Sequence, residues 1–226
     1  MDISVVIVAA GRGQRMGGDI AKQYLTISGQ TILEHTLSFW DRCPGVSEII
    51  LVLPPEDLGL WAGKMRQEYK RLNAVVPGGK DRTESVLSGV GKAMAQAEFV
   101  AVHDGVRPLL SEEMVLRVFE GAKQCDCVIP VVPLRDTVKK IDPEGYVTAT
   151  PPRECMVAVQ TPQLFRRKLL LELLRAPRRH PVTDEATLFE RAGHPVLTVP
   201  GDLRNIKITT VEDLLVAEVF LKEQRK

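Results

Sequence analysis

Ile3-Ser4-Val5-Val6-Ile7-Val8-Ala9-Ala10 runs directly into Gly11-Arg12-Gly13-Gln14-Arg15-Met16-Gly17. A short, unbroken apolar run closed by glycines reads as a strand buried on both faces, the kind a parallel sheet uses. Glycines after such a strand let backbone N–H groups approach phosphate oxygens at the mouth of a helix. Arg12, Arg15 and Lys22 fall in the same loop, at the strand end where open α/β sheets place their ligands. A dinucleotide fingerprint fits less well, because Met16 stands where its third glycine belongs and no acidic residue closes the second strand. A plain strand-to-helix turn accounts for the glycines but not for the three cations.

Working outward, apolar runs at 48–54, 73–77, 99–103 and 127–132 repeat the first one at 3–10, and helical patterns at 31–42, 57–70, 82–96 and 112–124 separate them. That alternation predicts a mainly parallel open sheet with helices on both faces. The stretches 137–141 and 146–150, around Asp142-Pro143-Glu144-Gly145, predict a protruding β-hairpin arm at about 136–156. The arm has few large apolar residues, and an isolated hairpin is barely stable, so it is expected to pack against something else, such as another subunit. Beyond it the pattern predicts strands at 157–159, 196–199 and 206–208 and helices at 166–175 and 184–192. A last helix is expected to open at Thr210, with Asp213 as its capping partner, and to run to about Gln224. With no repeat or low-complexity linker, residues 1–226 are read as one domain carrying an arm.

The bulk properties narrow the field. A net charge of +1 on 226 residues provides no overall field for nucleic acid or an anionic membrane. No apolar run is long enough to cross a bilayer. The apolar start follows Asp2 rather than a basic segment, which argues against a signal peptide. Cys43, Cys125, Cys127 and Cys155 form no C-x-x-C pair, and the histidines show no H-E-x-x-H spacing. Reduced structural thiols, a cytoplasmic location and no zinc hydrolase are the expectation.

The loop, followed by Lys22-Gln23-Tyr24-Leu25, resembles that of the 2-C-methyl-D-erythritol 4-phosphate cytidylyltransferase family. So do, in the family's order, Pro77-Gly78-Gly79 with Arg82 and Ser85-Val86, His103-Asp104 with Arg107-Pro108, and Asp136-Thr137-Val138-Lys139. Thr161-Pro162-Gln163, Thr183-Asp184-Glu185-Ala186 and Asn205-Ile206-Lys207 complete the series. The resemblance spans nearly the whole chain. One departure is Ala21, where the family usually has proline before the loop lysine.

The resemblance implies a Rossmann-like nucleotidyltransferase fold and transfer of a cytidylyl group from CTP to a sugar-alcohol phosphate. It implies Arg15, Lys22 and Lys207 as catalytic cations and Asp104 as the ligand of Mg²⁺, with Mn²⁺ an alternative. It places the nucleotide at Ala9, Ala10, Gly11, Gly13, Gly79, Arg82 and Ser85, where a wall of small residues suits a pyrimidine. It places the acceptor at Arg107, Thr137, Arg153 and Thr161, and it implies a homodimer in which each arm reaches the neighbouring site. Asp184 is read as a helix cap. A ribitol-phosphate-type cytidylyltransferase and a non-catalytic nucleotide-binding module are the alternatives.

Overall fold

The computed structural model describes residues 1–11, 20–177 and 182–224. β1 (Ile3–Val8) is followed by a small hairpin of β2 (Thr26–Ile27) and β3 (Gln30–Thr31), then by α1 (Ile32–Arg42) and β4 (Val46–Leu53). The alternation continues through α2 (Leu58–Glu68), β5 (Leu72–Pro77), α3 (Arg82–Val90), β6 (Phe99–Asp104), α4 (Glu112–Gly121) and β7 (Cys127–Pro133). The arm carries β8 (Lys140–Ile141) and β9 (Val147–Ala149). The chain returns through β10 (Val157–Val159), β11 (Gln163–Arg166), α5 (Arg167–Arg175), α6 (Ala186–Arg191), β12 (Leu197–Pro200) and α7 (Val211–Gln224).

The main sheet has the order β10-β7-β11-β6-β1-β4-β5, with β12 also paired to β7. β1 sits inside it, parallel to both β4 and β6. Its side chains alternate between two cores. Ile3, Val5 and Ile7 pack with Leu33, Leu37 and Trp40 of α1 and Met114 and Val118 of α4. Val6 packs on the other face with Val86 and Val90 of α3 and with Leu170 and Phe189. Burial on both faces is why this strand reads as a continuous apolar run. α3 lies so close that a Cβ at Gly89 would meet Val6 Cγ1 at 2.4 Å, which reserves that place for glycine.

The helix starts were legible because their chemistry is local. Thr31 Oγ1 accepts from the Glu34 amide at 3.1 Å while Glu34 Oε2 accepts from the Thr31 amide at 2.7 Å. That reciprocal pair satisfies two amides the first turn leaves open. Thr210 and Asp213 do the same for α7, at 3.3 and 2.9 Å.

Four expectations need correction. α3 stops at Val90 rather than 96. The chain there tightens into turns at 91–93, and the Met94 amide donates to buried Glu48. Residues 206–208 form no strand; Ile208 makes a single backbone bond to Val106, past the C-terminal end of β6. The hairpin strands are shorter than expected. β11 was not anticipated, and it runs antiparallel between β6 and β7.

Candidate active site

The strand register sets the site. Val8 lies level with Val52 on one side and Asp104 on the other. The loops leaving β1, β4, β5 and β6 therefore gather at one edge, as ligand sites of open sheets do. A cavity of about 530 Å³ opens there, walled by Ala9, Ala10, Gly11, Gly79, Ser85 and Pro54, with Lys22 and Lys80 at its polar parts. A second cavity of about 290 Å³ is bounded by Arg107, Gln160, Thr161, Gln163, Thr183 and Asp184. Both are lined by Arg82, Asp104 and Lys207. The two chambers thus meet at one carboxylate and two cations.

Asp104 is 5% exposed. Its Oδ1 accepts from Arg82 Nη1 at 2.6 Å. Its Oδ2 lies 3.0 Å from Lys207 Nζ and 3.3 Å from Arg107 Nε. Burial alone would raise this carboxyl, but Arg82, then Lys207 and Arg107, hold it well below the usual carboxylate range. Arg82 is shared with a second buried carboxylate, Glu185, through Nη2 at 3.2 Å. Burial acts against the Arg82 charge, yet the two carboxylates raise its pKa above the ordinary value.

A buried polar chain fixes the end of β6. The Asp104 amide donates to Thr161 Oγ1 at 3.1 Å, and that hydroxyl lies 3.0 Å from His103 Nδ1. His103 Nε2 lies 3.2 Å from the Arg107 carbonyl, so Nε2 carries the proton and Nδ1 accepts from Thr161. Burial pushes the His103 imidazole down to about 3, which keeps it neutral. On the far side Arg107 Nη1 donates to the Asn205 carbonyl at 2.8 Å, and Asn205 Nδ2 donates to the Thr161 carbonyl at 2.8 Å. Asn205 and Ile208 are both fully buried and hold the segment that presents Lys207.

Lys22 stands on a 3-10 turn, Lys22–Tyr24. Gln23 is buried and donates to the Ala9 carbonyl at 3.0 Å. Tyr24 stacks on Trp61, ring centroids 4.6 Å apart and planes 5° from parallel, and its hydroxyl donates to Asp57 at 2.8 Å. Ala21 takes φ −62°, the angle a proline ring would lock. The turn is therefore tied down from neighbouring elements without that ring.

The sequence matches the family model of 2-C-methyl-D-erythritol 4-phosphate cytidylyltransferase over residues 3–223. The chain belongs to this family. It is 39% identical to the 2-C-methyl-D-erythritol 4-phosphate cytidylyltransferase of Desulforamulus reducens, covering 99% of this chain and 97% of the relative. It is 41% identical to that of Geotalea uraniireducens, covering 98% and 97%. The crystal structure of 4-diphosphocytidyl-2C-methyl-D-erythritol synthase from Anaerococcus prevotii superposes with a TM-score of 0.86 at 36% identity, covering 97% of this chain and 96% of that one. The Thermus thermophilus 2-C-methyl-D-erythritol 4-phosphate cytidylyltransferase gives 0.79 at 35%, covering 98% and 100%. The α/β nucleotidyltransferase fold and the enzyme class follow.

Set against the family's motifs, Ala9, Ala10, Gly11, Gly79, Ser85 and Lys22 come together in the larger chamber, and Arg107 and Thr161 in the smaller. The Thr161 hydroxyl is already committed to Asp104 and His103, and the Arg107 guanidinium to Asp104 and Asn205. Thr137 and Arg153 lie exposed on the arm and line neither chamber of their own chain; Arg153 donates to the Arg135 carbonyl at 2.8 Å. Arg12, Gly13 and Arg15 lie outside the described residues. Asp184 caps its helix as expected, accepting from the Thr187 amide at 3.2 Å. Sequence reasoning assigned no role to Gln23, His103, Gln160, Glu185 or Asn205. Each is a polar residue buried to within 6% exposure; all but Gln160 belong to one of the motifs, which is the only hint the sequence carries.

The ionised Asp104 stabilises the fold wherever the unfolded aspartate is also ionised, above pH ~4, and that contribution fades as the pH falls below this value. Asp104→Asn should therefore lower stability near neutral pH, on the order of 3 kcal/mol. Urea midpoints measured from pH 7 downwards should show the gap to wild type closing below pH ~4. A gap that stays constant would show that the charge of Asp104 does not matter to folding.

Proposed function

We propose that the larger chamber binds CTP, the smaller binds the acceptor phosphate, and transfer occurs where they share Arg82, Asp104 and Lys207. The family's reaction converts CTP and 2-C-methyl-D-erythritol 4-phosphate to 4-diphosphocytidyl-2-C-methyl-D-erythritol and pyrophosphate, in non-mevalonate isoprenoid precursor biosynthesis. A phosphate oxygen of the acceptor forms a bond to the α-phosphorus of CTP. The bond from that phosphorus to the bridging oxygen breaks, and its electrons leave with pyrophosphate. The attacking oxygen is already anionic at neutral pH, so no general base is required. The chain's own task is positioning, together with cations placed where negative charge builds.

The meeting of the two chambers at one cluster is the observation that carries this reading. Lys22 stands in the larger chamber and Lys207 on the common wall. Lys207 is 41% exposed in its side chain, so it can leave Asp104 for a phosphate that arrives. Arg15 would join them from the loop after β1. Ala9, Ala10, Gly79 and Ser85 line the part of this chamber where the cytosine base would sit, with backbone atoms close at hand to recognise its edge.

Among the described residues no three His, Cys, Asp or Glu side chains gather to hold a metal ion. Mg²⁺ commonly takes one or two carboxylates and fills its shell with phosphate oxygens and water. Asp104 is the carboxylate on the wall common to both chambers and would take that role, with Mn²⁺ the alternative. Because Arg82, Lys207 and Arg107 hold both of its oxygens, the ion would have to displace the more exposed Lys207, and the triphosphate would supply the other ligands. When bound, the ion neutralises charge on the triphosphate.

Lys22→Ala and Lys207→Ala should each lower kcat by a factor of ~10²–10³, read as CTP-dependent pyrophosphate release with methylerythritol phosphate. Near-normal turnover in both variants would contradict the assignment. Ribitol phosphate in place of methylerythritol phosphate separates the two acceptors.

Assembly is part of the same proposal. Ile141, Tyr146 and Val147 on the arm, and Met156, Val157 and Val159 beside it, are exposed. A second subunit clasped by the arm would cover them and bring Arg153 to the neighbouring site. No helix among the described residues is long and apolar enough to cross a membrane. The four cysteines are free, in keeping with a reducing cytoplasm. Mixing inactive Lys22→Ala and Arg153→Ala subunits, once their exchange has been verified, should restore activity, because mixed dimers contain one site with both residues intact. No recovery would show that Arg153 serves its own subunit.

A further inference from the structure

Glu185 is fully buried just before α6 and lines neither chamber. Its Oε2 lies 3.2 Å from Arg82 Nη2, and its Oε1 has no hydrogen-bond partner among the described residues. Replacing a buried ion pair by apolar groups of similar volume often leaves stability unchanged or raises it. Packing therefore gives no reason for a carboxylate here, whereas the geometry around Arg82 does. The guanidinium is a planar fork. Asp104 holds it at Nη1 and Glu185 at Nη2, and a fork held at both tips cannot turn within the wall the chambers share. With Asp104 alone, Arg82 would be free to follow that carboxylate or to swing towards a bound triphosphate. The backbone carrying Glu185 is itself set by the smaller chamber. Thr183 and Asp184 line that chamber, and Gln163 Nε2 donates to Asp184 Oδ2 at 2.8 Å.

We propose that Glu185 is a positioning residue for the transfer step, acting through Arg82 by fixing its guanidinium on the wall common to both chambers while touching neither substrate. The inference rests on reading the chambers as donor and acceptor sites. It predicts that Glu185 matters to turnover only while Arg82 is present.

The test is a double-mutant cycle on pyrophosphate release, with Glu185→Gln made in wild type and in Arg82→Ala, and folding checked by near-ultraviolet circular dichroism. Glu185→Gln should lower kcat ~10- to 100-fold in wild type, as a small misplacement at a reacting centre does, with the CTP KM changed by no more than about threefold. In the Arg82→Ala background the same substitution should change kcat by less than about twofold. Equal losses in both backgrounds, or a Glu185→Gln enzyme within about twofold of wild type, would overturn the proposal. Should Glu185→Gln fail to fold, Glu185→Asp carries the same cycle with the charge kept and drawn back from Arg82. A wild-type enzyme that releases no pyrophosphate from CTP with any sugar phosphate would instead overturn the reading of the chambers.

Discussion

One buried carboxylate, Asp104 at the end of β6, holds the site together by drawing three cations from three parts of the chain. Arg82 comes from the start of α3, Arg107 from the loop after β6 and Lys207 from the segment before α7. Such a cluster is stable when the charges are mutually paired and most of the remaining polar groups are satisfied, Arg82 Nε, Glu185 Oε1 and Asn205 Oδ1 being exceptions among the described residues. Thr161, His103, Gln160 and Asn205 supply much of that second requirement. The same cluster forms the wall common to the two chambers, so the pairing that holds the end of β6 also sets where the chambers meet.

The arrangement suits phosphoryl-type chemistry, in which a protein contributes mostly position and charge. Its parts differ in exposure. Asp104 and Glu185 are buried, Arg107 nearly so and Arg82 about a quarter exposed at 26%, whereas Lys207 is substantially exposed. Lys22 has its own support from Gln23 and from the Tyr24–Trp61 stack, separate from the Asp104 cluster. The Lys22 turn is thus supported from the end of β1 and from α2, and the Asp104 cluster from β6 and the segments packed on its end.

Much of this was legible in the sequence wherever the signal is local. β1 announces itself as an unbroken apolar run because both of its faces are covered, and Thr210-Asp213 marks a helix start by its own hydrogen bonds. The family motifs carried Lys22, Asp104, Arg107 and Lys207 into one neighbourhood, and the described geometry places them there. What the sequence hid depends on contacts between distant segments. β11 is four residues long, with only Leu164 and Phe165 apolar. Its place between β6 and β7 rests on pairing with Phe99–Val102 and with Cys127 and Val128, far back in the sequence, rather than on a pattern of its own. Residues 206–208 look like a strand because Ile206 and Ile208 alternate around Lys207; in the fold Ile208 anchors that loop in a separate core with Val106 and Leu221. Glu185 reads as an ordinary acidic residue at a helix start, and only Arg82, far away in sequence, gives it a partner.

The central claim is that the Asp104 carboxylate gathers the cations of the transfer site. A crystal structure of the Asp104→Ala variant tests this most directly. The account predicts that Lys207 and Arg107 turn away from position 104, that Arg82 remains on Glu185, and that the wall between the two chambers opens. Unchanged positions for all three cations, with the chambers still divided, would show that something other than Asp104 places them.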